Sequence, residues 1–359
     1  MKNRQIQAFS NVIMPLFLGT YGYFTGGIDN MNELAVQSRT TRQLSPLSGR
    51  IKEIDTLRGF AIFLVILAHA IIFFPINLHE NVYCQKVFIW IALVNMPLFF
   101  VIAGFCFSCK DYKTYLRKKF QRLVIPYIVF NLIDMLPRQL LPPLVNRPRP
   151  ITESLIHMLH GGEFWFIHTL FLIFLIYPLI YRLMNENKFR MILGSVLLFM
   201  VSRYGVHISF LRISSAIRFL FFFHVGVMAR YVTGGKWPIK KIPAFVLPIM
   251  FALWLILLYG VGGFFLALVF IGIIICSLMT RYKLFNDIFS RFGEYSLQIY
   301  LMNGITLGIS RAIICNVFHV TNPAIIVSFN VFFDLVVSYM LIKYIFSRSR
   351  LIRILRGME

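Results

Sequence analysis

A histidine and an arginine share one apolar stretch, the run from Ile54 to His69. Arg58 and His69 are eleven residues apart in the sequence, so on an α-helix they lie on one face within roughly 20°, about 16 Å apart along the axis. Asp55 precedes Arg58 by three residues and is placed to pair with it. A histidine inside an apolar helix is usually a hydrogen-bonded packing residue. Its alignment with an arginine instead favours a functional group, and histidine is suited to general-base chemistry at neutral pH.

A run of basic residues follows the second apolar segment. Arg117, Lys118, Lys119 and Arg122 fall within six residues, and Tyr127 comes shortly after them. Such a run is an ordinary determinant of membrane topology. It is equally suited to binding phosphate groups, with arginine giving bidentate contacts. The spacing alone leaves both interpretations open.

Two further groups of polar and aromatic residues open later apolar segments. Residues 161–168 contain a carboxylate, a tryptophan and a histidine, for which the alternatives to a site are an interfacial belt and simple packing. Residues 293–303 place polar side chains on roughly one helix face, where interhelical hydrogen bonds are the alternative to chemistry. The residues singled out are Glu163, Trp165, His168, Tyr295, Ser296, Tyr300 and Asn303.

Asp334 is a carboxylate in the middle of the last apolar segment. It fits a proton-coupled carrier, a flippase or exporter of a glycan or small metabolite, with His168 and His224 completing a relay. A third interpretation is a purely structural partner in a polysaccharide assembly complex, which predicts that changes at Arg58 and His69 are tolerated. Nucleotide-binding, zinc-protease and serine-hydrolase motifs do not occur in the context they require. The five cysteines form no disulfide or metal framework, and no metal is expected.

The composition shows which elements must position these groups. Of 359 residues, 58% are hydrophobic and 14% charged, whereas soluble domains carry about 25% charged residues. Repeated apolar runs approach the length of about twenty residues that a bilayer demands. Runs of this length span as helices, because lipid offers no partner to an unpaired backbone amide. The predicted fold is therefore all-α, a polytopic bundle of about ten transmembrane helices. The predicted spans are 57–76, 86–108, 120–137, 164–182, 189–206, 215–233, 242–259, 261–280, 293–315 and 323–346.

The net charge of +22 is explained by basic cytoplasmic loops rather than by nucleic acid. With residues before the first span inside, only eight of the 36 Lys and Arg residues fall on the outer side. Both termini are therefore predicted to be cytoplasmic, provided that the apolar stretch Val12–Ile28 does not form an additional span. Residues 1–50 are expected to form a poorly patterned segment and linker, and residues 51–359 the membrane domain. The outer cations are Lys86, Arg138, Arg147, Arg149, Arg203, Arg212, Arg218 and Arg311. Some of these arginines are hypothesised to bind an anionic glycan or its lipid-linked pyrophosphate, the alternative being ordinary loop charge.

Six segments, taken in order, resemble the motifs of the acyltransferase-3 family of membrane acyltransferases. The resemblance runs from about Lys52 to Ile345. Two positions depart from the family pattern: Lys119 stands where arginine is common, and Asn303 where many members have histidine. The segments are Asp55 with Leu57-Arg58-Gly59 and His69, Met96–Phe105, Lys119–Pro126, Phe164–Ile167, Phe221–Gly226 and Gly293–Leu301.

The resemblance implies a multi-pass enzyme of the cell membrane that uses acetyl-CoA or another acyl-CoA as cytoplasmic donor. The implied acceptor is a hydroxyl of an envelope sugar, polysaccharide or lipid-linked glycan, with other polysaccharide-assembly proteins as partners. His69 would be the catalytic base or transient acyl carrier, and Arg58 and Glu163 would complete the catalytic set, with Arg58 and the basic run orienting the phosphates of the donor. The remaining residues divide into a donor-binding set, Arg117, Lys118, Lys119, Arg122 and Tyr127, and an acceptor-side or structural set, Trp165, His168, Tyr295, Ser296, Tyr300 and Asn303.

Overall fold

The computed structural model describes residues 49–72, 78–140, 149–205, 208, 210–237, 249–250 and 265–346. Every regular segment in these ranges is helical, which confirms the predicted all-α class. The predicted N-terminal segment lies outside the described residues except for its last two, and the predicted span 242–259 lies outside them except for residues 249–250.

Twelve α-helices occur in the described ranges, together with short 3₁₀ and π segments. The first six are α1 (Lys52–Ile72), α2 (Val82–Phe105), α3 (Tyr112–Lys119), α4 (Ile125–Leu140), α5 (Ile151–Leu159) and α6 (Trp165–Met184). The others are α7 (Lys188–Tyr204), α8 (Ile213–Thr233), α9 (Phe265–Met279), α10 (Lys283–Glu294), α11 (Ser296–Arg311) and α12 (Pro323–Met340). Single π segments link α3 to α4 and extend α11 and α12, at Phe120–Val124, Ala312–Val317 and Leu341–Phe346.

Six described helices are long and apolar enough to cross a bilayer: α1, α2, α6, α8, α11 and α12 with their terminal turns. A seventh span results if α9 and α10, which are bent by 106° relative to each other, count as one. The chain is thus a multi-pass membrane protein, but the predicted count of ten is not confirmed. Two of the predicted spans correspond to α4, with 16 residues, and α7, with 17, at the short limit for a spanning helix.

Helix α1 is the most enclosed of the six spans and contacts α2, α10, α11 and α12. Two glycines bring its backbone against α10. A Cβ atom on Gly59 would lie 1.8 Å from the carbonyl oxygen of Phe289, and one on Gly293 would lie 1.7 Å from that of Asp55. Only glycine permits this approach, so the two helices are fixed at the backbone.

A second pair of glycines joins α2 to α8 in the same way. A Cβ atom on Gly104 would lie 1.8 Å from the carbonyl oxygen of Phe223, and one on Gly226 would lie 2.0 Å from that of Val101. All four glycines belong to the segments that carry the family resemblance. Close helix packing explains why these positions are glycine, because any larger residue would separate the helices.

Candidate active site

His69, near the end of α1, is the first member of a hydrogen-bonded chain that crosses three helices. Its Nδ1 atom lies 2.5 Å from Oδ1 of Asn303 on α11. The Nδ2 atom of Asn303 donates to Oδ2 of Asp334 on α12, at 2.5 Å. Asn303 and Asp334 are buried, whereas His69 is partly buried.

The direction of these bonds determines where the imidazole carries its proton. The amide group of Asn303 donates to the carboxylate, so its carbonyl oxygen is the atom that faces His69. A carbonyl oxygen only accepts, and therefore Nδ1 of His69 is the protonated nitrogen of the neutral ring. The lone pair is left on Nε2, which makes Nε2 the basic atom of the site.

Two hydroxyl groups hold the second oxygen of Asp334. The hydroxyls of Thr306 and Ser338 both donate to Oδ1, the latter at 2.9 Å. Both are buried, as is the carboxylate itself. The carboxylate is thus oriented from two helices, and its orientation passes through Asn303 to the histidine ring.

Arg311 on α11 fixes the backbone at the same place. Its Nη2 atom donates to the carbonyl oxygens of Ala70, at 2.7 Å, and His69, at 3.2 Å. A guanidinium group at this position satisfies carbonyls in the last turns of α1 and complements the helix dipole. The sequence analysis counted Arg311 only as an outer cation. Its position inside a predicted span was the signal that could have indicated a structural role, because a charge within a bilayer is costly unless it has partners.

Arg58 lies toward the opposite end of α1 and contacts an acid and a thiol. Its Nη1 atom is 3.7 Å from Oδ1 of Asp55, which is the pair that the sequence predicted. Its Nη2 atom lies 3.4 Å from the sulfur of Cys106, just beyond the end of α2. Asp55 also accepts a hydrogen bond from Arg50. The side chain of Arg58 remains 35% exposed, so this guanidinium is open to a ligand.

The predicted basic run forms the end of α3 and the π segment beside Arg58. Arg117, Lys118 and Arg122 are exposed, whereas Lys119 is partly buried with Nζ 4.0 Å from the ring centre of Phe174. Burial, together with the neighbouring charges of Arg122 and Arg58, lowers the pKa of Lys119 to about 8. The departure from the family pattern at Lys119 is thus a lysine packed on an aromatic ring.

The π segment follows from Pro126. The backbone N–H of Ile125 donates to the carbonyl oxygen of Phe120, five residues back, and Pro126 has no N–H with which to continue a regular ladder. Tyr127 then faces away from the basic run, since its hydroxyl donates to the carbonyl of Met158 and its ring lies 6.0 Å from that of His168. The structure therefore brings Tyr127 to the residues around α5 and α6, and not to the predicted donor-binding set.

Glu163 lies in the turn before α6. Arg149 donates to its Oε1 atom at 3.2 Å, and Nε2 of His157 lies 3.5 Å from the same oxygen. The carboxylate is close enough to interact electrostatically with His69 and with Tyr300. Glu163 and His69 thus belong to one end of the bundle, called here the His69 end; the region of Arg58, Cys106 and the basic run is called the Arg58 end.

The predicted acceptor-side residues separate between these ends. Tyr300 is buried, with its ring 6.0 Å from that of Phe164 and 5.6 Å from that of Phe166. Asn303 joins His69 directly. Tyr295 instead begins α11 next to the Gly293 contact, and its ring packs 5.8 Å from that of Tyr339. The neighbouring Ser296 is buried there too, so Tyr295 and Ser296 lie near the Arg58 end. Trp165 packs on Phe219, at 5.8 Å between ring centres.

The relay required by a proton-coupled carrier is not assembled among the described residues. Asp334 bonds to the His69 network. His224 is fully buried between the hydroxyl of Tyr177, at 2.8 Å, and the carbonyl of Met191, at 3.0 Å. His168 packs on Tyr127 and contacts neither of the other two. Within the same ranges, no group of three or more His, Cys, Asp or Glu side chains is arranged to hold a metal ion.

Comparison with known proteins gives one match. A family model described as an acyltransferase domain matches residues 51–343, from the start of α1 to the π segment after α12. No curated protein and no solved structure matches the chain.

Proposed function

The chain belongs to the acyltransferase-3 family, and from this premise we propose that it is a membrane-bound O-acyltransferase. The proposed donor is an acyl-CoA, with acetyl-CoA preferred, and the proposed acceptor is a hydroxyl of an envelope sugar, polysaccharide or lipid-linked glycan. We place the activity in the cell membrane, alongside other proteins of polysaccharide assembly.

The observation that carries the proposal is the orientation of His69. Attack of an acceptor oxygen on an acyl carbonyl requires the hydroxyl to lose its proton as the new C–O bond forms. The Nε2 atom of His69, with its lone pair fixed by the Asn303–Asp334 chain, takes that proton. The C–S bond of the thioester breaks, and the proton passes from Nε2 to the departing thiolate. Positioned proton transfer of this kind contributes about 10²–10⁴-fold.

The Arg58 end supports an acyl-CoA donor by its charge. Three exposed cations of the basic run surround the partly buried Lys119, near the half-exposed Arg58. Cations so placed suit the phosphate groups of coenzyme A, and arginine adds bidentate geometry. Since Arg58 and His69 lie about 16 Å apart along α1, the donor is bound in an extended form, with its phosphates at Arg58 and its thioester toward His69.

The His69 end supports a sugar acceptor by its mixture of aromatic and polar groups. Tyr300 and Trp165 offer rings, and Glu163 offers a carboxylate beside the base. Rings with polar tips pack on apolar faces while keeping a hydrogen-bonding group. We propose that an acceptor hydroxyl is held there for deprotonation by His69.

The test uses purified full-length protein in nanodiscs. Acetyl-CoA binding and thioester cleavage are measured for the wild type and for His69→Ala. We expect the wild type to bind and slowly cleave acetyl-CoA, and His69→Ala to bind it with little cleavage. A well-folded wild type that does not bind acetyl-CoA would refute the proposal.

A further inference from the structure

The structure separates the outer arginines that the sequence grouped together. Arg203 and Arg218 are exposed, and Arg149 is paired with Glu163. Arg212 is partly buried at the His69 end. We propose that Arg212 binds a carboxylate or phosphate group of the acceptor, next to the hydroxyl that is acylated. This inference rests on the proposed function and names the chemical class of its acceptor.

The backbone at Arg212 adopts an unusual conformation. Leu211 has a φ of 48° and Arg212 a φ of 52°, both in the left-handed region immediately before α8. Residues other than glycine adopt this region rarely, and two in succession cost free energy that the surrounding structure must offset. Such strain concentrates at ligand-binding positions. The conformation turns the Arg212 side chain toward the turn before α6.

That turn is shaped to receive the arginine. A Cβ atom on Gly161, whose φ is 99°, would lie 2.9 Å from Cδ of Arg212, so glycine leaves room for the side chain. The Nε atom of Arg212 donates to the carbonyl oxygen of His160 at 2.9 Å. One donor is thus used to anchor the guanidinium, and the two terminal amino groups are left to bind elsewhere. The same turn carries Glu163.

In the part of the chain that the structure describes, the surroundings of Arg212 supply no counter-ion. His168, Tyr127 and Tyr300 are close enough to interact electrostatically with it, and none of the three is an anion at neutral pH. Among the described residues, no carboxylate lies within ion-pair distance of Arg212, and the nearby Glu163 is already held by Arg149 and His157. A partly buried cation without a protein counter-ion is uncommon.

A second polar group at the same place lacks a partner. The Nδ1 atom of His168 is buried and makes no hydrogen bond in the part of the chain described. Buried polar atoms of this kind call for an explanation, and a ligand is one. Two terminal amino groups in a fixed fork match the two oxygens of a carboxylate or of a phosphate. A hexuronic acid and a sugar phosphate, including a lipid-linked pyrophosphate, both present such an oxyanion beside ring hydroxyls.

The experiment compares three acceptor probes on the full-length protein in nanodiscs: a methyl hexuronide, a hexose 1-phosphate and a neutral methyl hexoside. Equilibrium binding of each probe is measured for the wild type, Arg212→Gln, Arg212→Lys and the exposed control Arg203→Gln. Glutamine retains an N–H that can donate to the carbonyl of His160, but it lacks the positive charge and the paired N–H donors of arginine. Lysine retains only the positive charge. Thermal unfolding in the same nanodiscs verifies that each variant folds.

We expect the wild type to prefer one or both anionic probes, and the preferred probe identifies a carboxylate or a phosphate as the source of the anion. Arg212→Gln should weaken that binding by about ten- to a hundredfold, with Arg212→Lys intermediate and Arg203→Gln unchanged. The affinity for the neutral probe should change by less than about twofold in the Arg212 variants. No anion preference in the wild type, or equal losses for charged and neutral probes, would overturn the inference. Acetyl-CoA cleavage, measured without acceptor, distinguishes that result from failure of the proposed function.

Discussion

The two ends of α1 differ in how their polar groups are held. At the His69 end, the histidine is connected through two buried side chains to two buried hydroxyls, and each bond has a defined direction. At the Arg58 end, Arg117, Lys118 and Arg122 are exposed, while Arg58 and Lys119 are only partly buried. Under the proposed function, the first end fixes the geometry of a single proton-accepting atom, whereas the second presents charge to the donor. Substitutions at the first should therefore alter turnover, and substitutions at the second should alter donor affinity.

Removal of the base tests this distinction most strongly. His69→Ala should lower acetyl transfer by about 10²–10⁴-fold, because it removes the group proposed to accept the hydroxyl proton. The dissociation constant for acetyl-CoA should stay within about twofold, since the cations of the Arg58 end are unaffected. Single-turnover rates and equilibrium binding in nanodiscs provide the two measurements. Equal losses in rate and donor affinity would mean that the two ends do not have separate roles in turnover and donor binding.

Loss of the link to Asp334 should have the next largest effect. Asn303→Ala disconnects His69 from the carboxylate, so we expect kcat to fall by about 10- to 100-fold with little change in the donor KM. Ser310→Ala is a matched control, because it also removes one buried hydrogen bond between α11 and α12, the bond of Ser310 to Asn330 at 2.5 Å. If both variants lost the same activity, Asn303 would contribute to stability and not to the orientation of the base.

Arg58→Gln should produce the opposite pattern. Loss of one charged contact to a phosphate predicts a donor KM raised by about ten- to a hundredfold, with a smaller change in kcat. Arg203→Gln, an exposed change far along the chain, serves as the control. A kcat effect without a KM effect would place Arg58 in the chemical step.

The smallest effect is expected from pH. Burial and the neighbouring cations lower the pKa of Lys119 to about 8, so its charge is present below pH 8 and lost above it. Affinity for the anionic donor should therefore fall between pH 7 and pH 9, by less than about fivefold for one partly exposed cation. Lys119→Arg, which stays charged throughout, should remove this pH dependence. Acetyl-CoA binding is titrated at pH 7 and at pH 9 to test this. If the affinity of Lys119→Arg fell between these pH values as much as that of the wild type, the pH dependence would belong to another group.

Local spacing was sufficient to predict part of this arrangement. The common face of Arg58 and His69 and the Asp55–Arg58 pair follow from helical periodicity within one segment, and the pair is present. The membrane class follows from composition. The resemblance to the acyltransferase-3 family, confirmed by the match over residues 51–343, rests on the order of short motifs.

The contacts between distant segments could not be predicted in the same way. Asp334 was associated with transport because nothing in its own segment reveals that α12 packs beside α1. Asn303 departs from the family pattern and was assigned to the acceptor-side or structural set, yet its amide is the group that joins His69 to Asp334. Tyr127 was assigned by its nearness in sequence to the basic run, but α4 carries it to α5 and His168. These assignments depend on which helices are neighbours, which periodicity does not encode.

The glycine contacts of α1 also limit how α1 and α10 can move against each other. Because Gly59 and Gly293 bring the backbones of α1 and α10 together, neither helix has space to slide or rotate against the other without a clash. Arg58 and His69, which both belong to α1, therefore keep fixed positions relative to α10. Under the proposed function, we expect the motions that admit and release substrates to occur in helices other than these two. A disulfide or crosslink placed between α1 and α10 should therefore leave turnover intact.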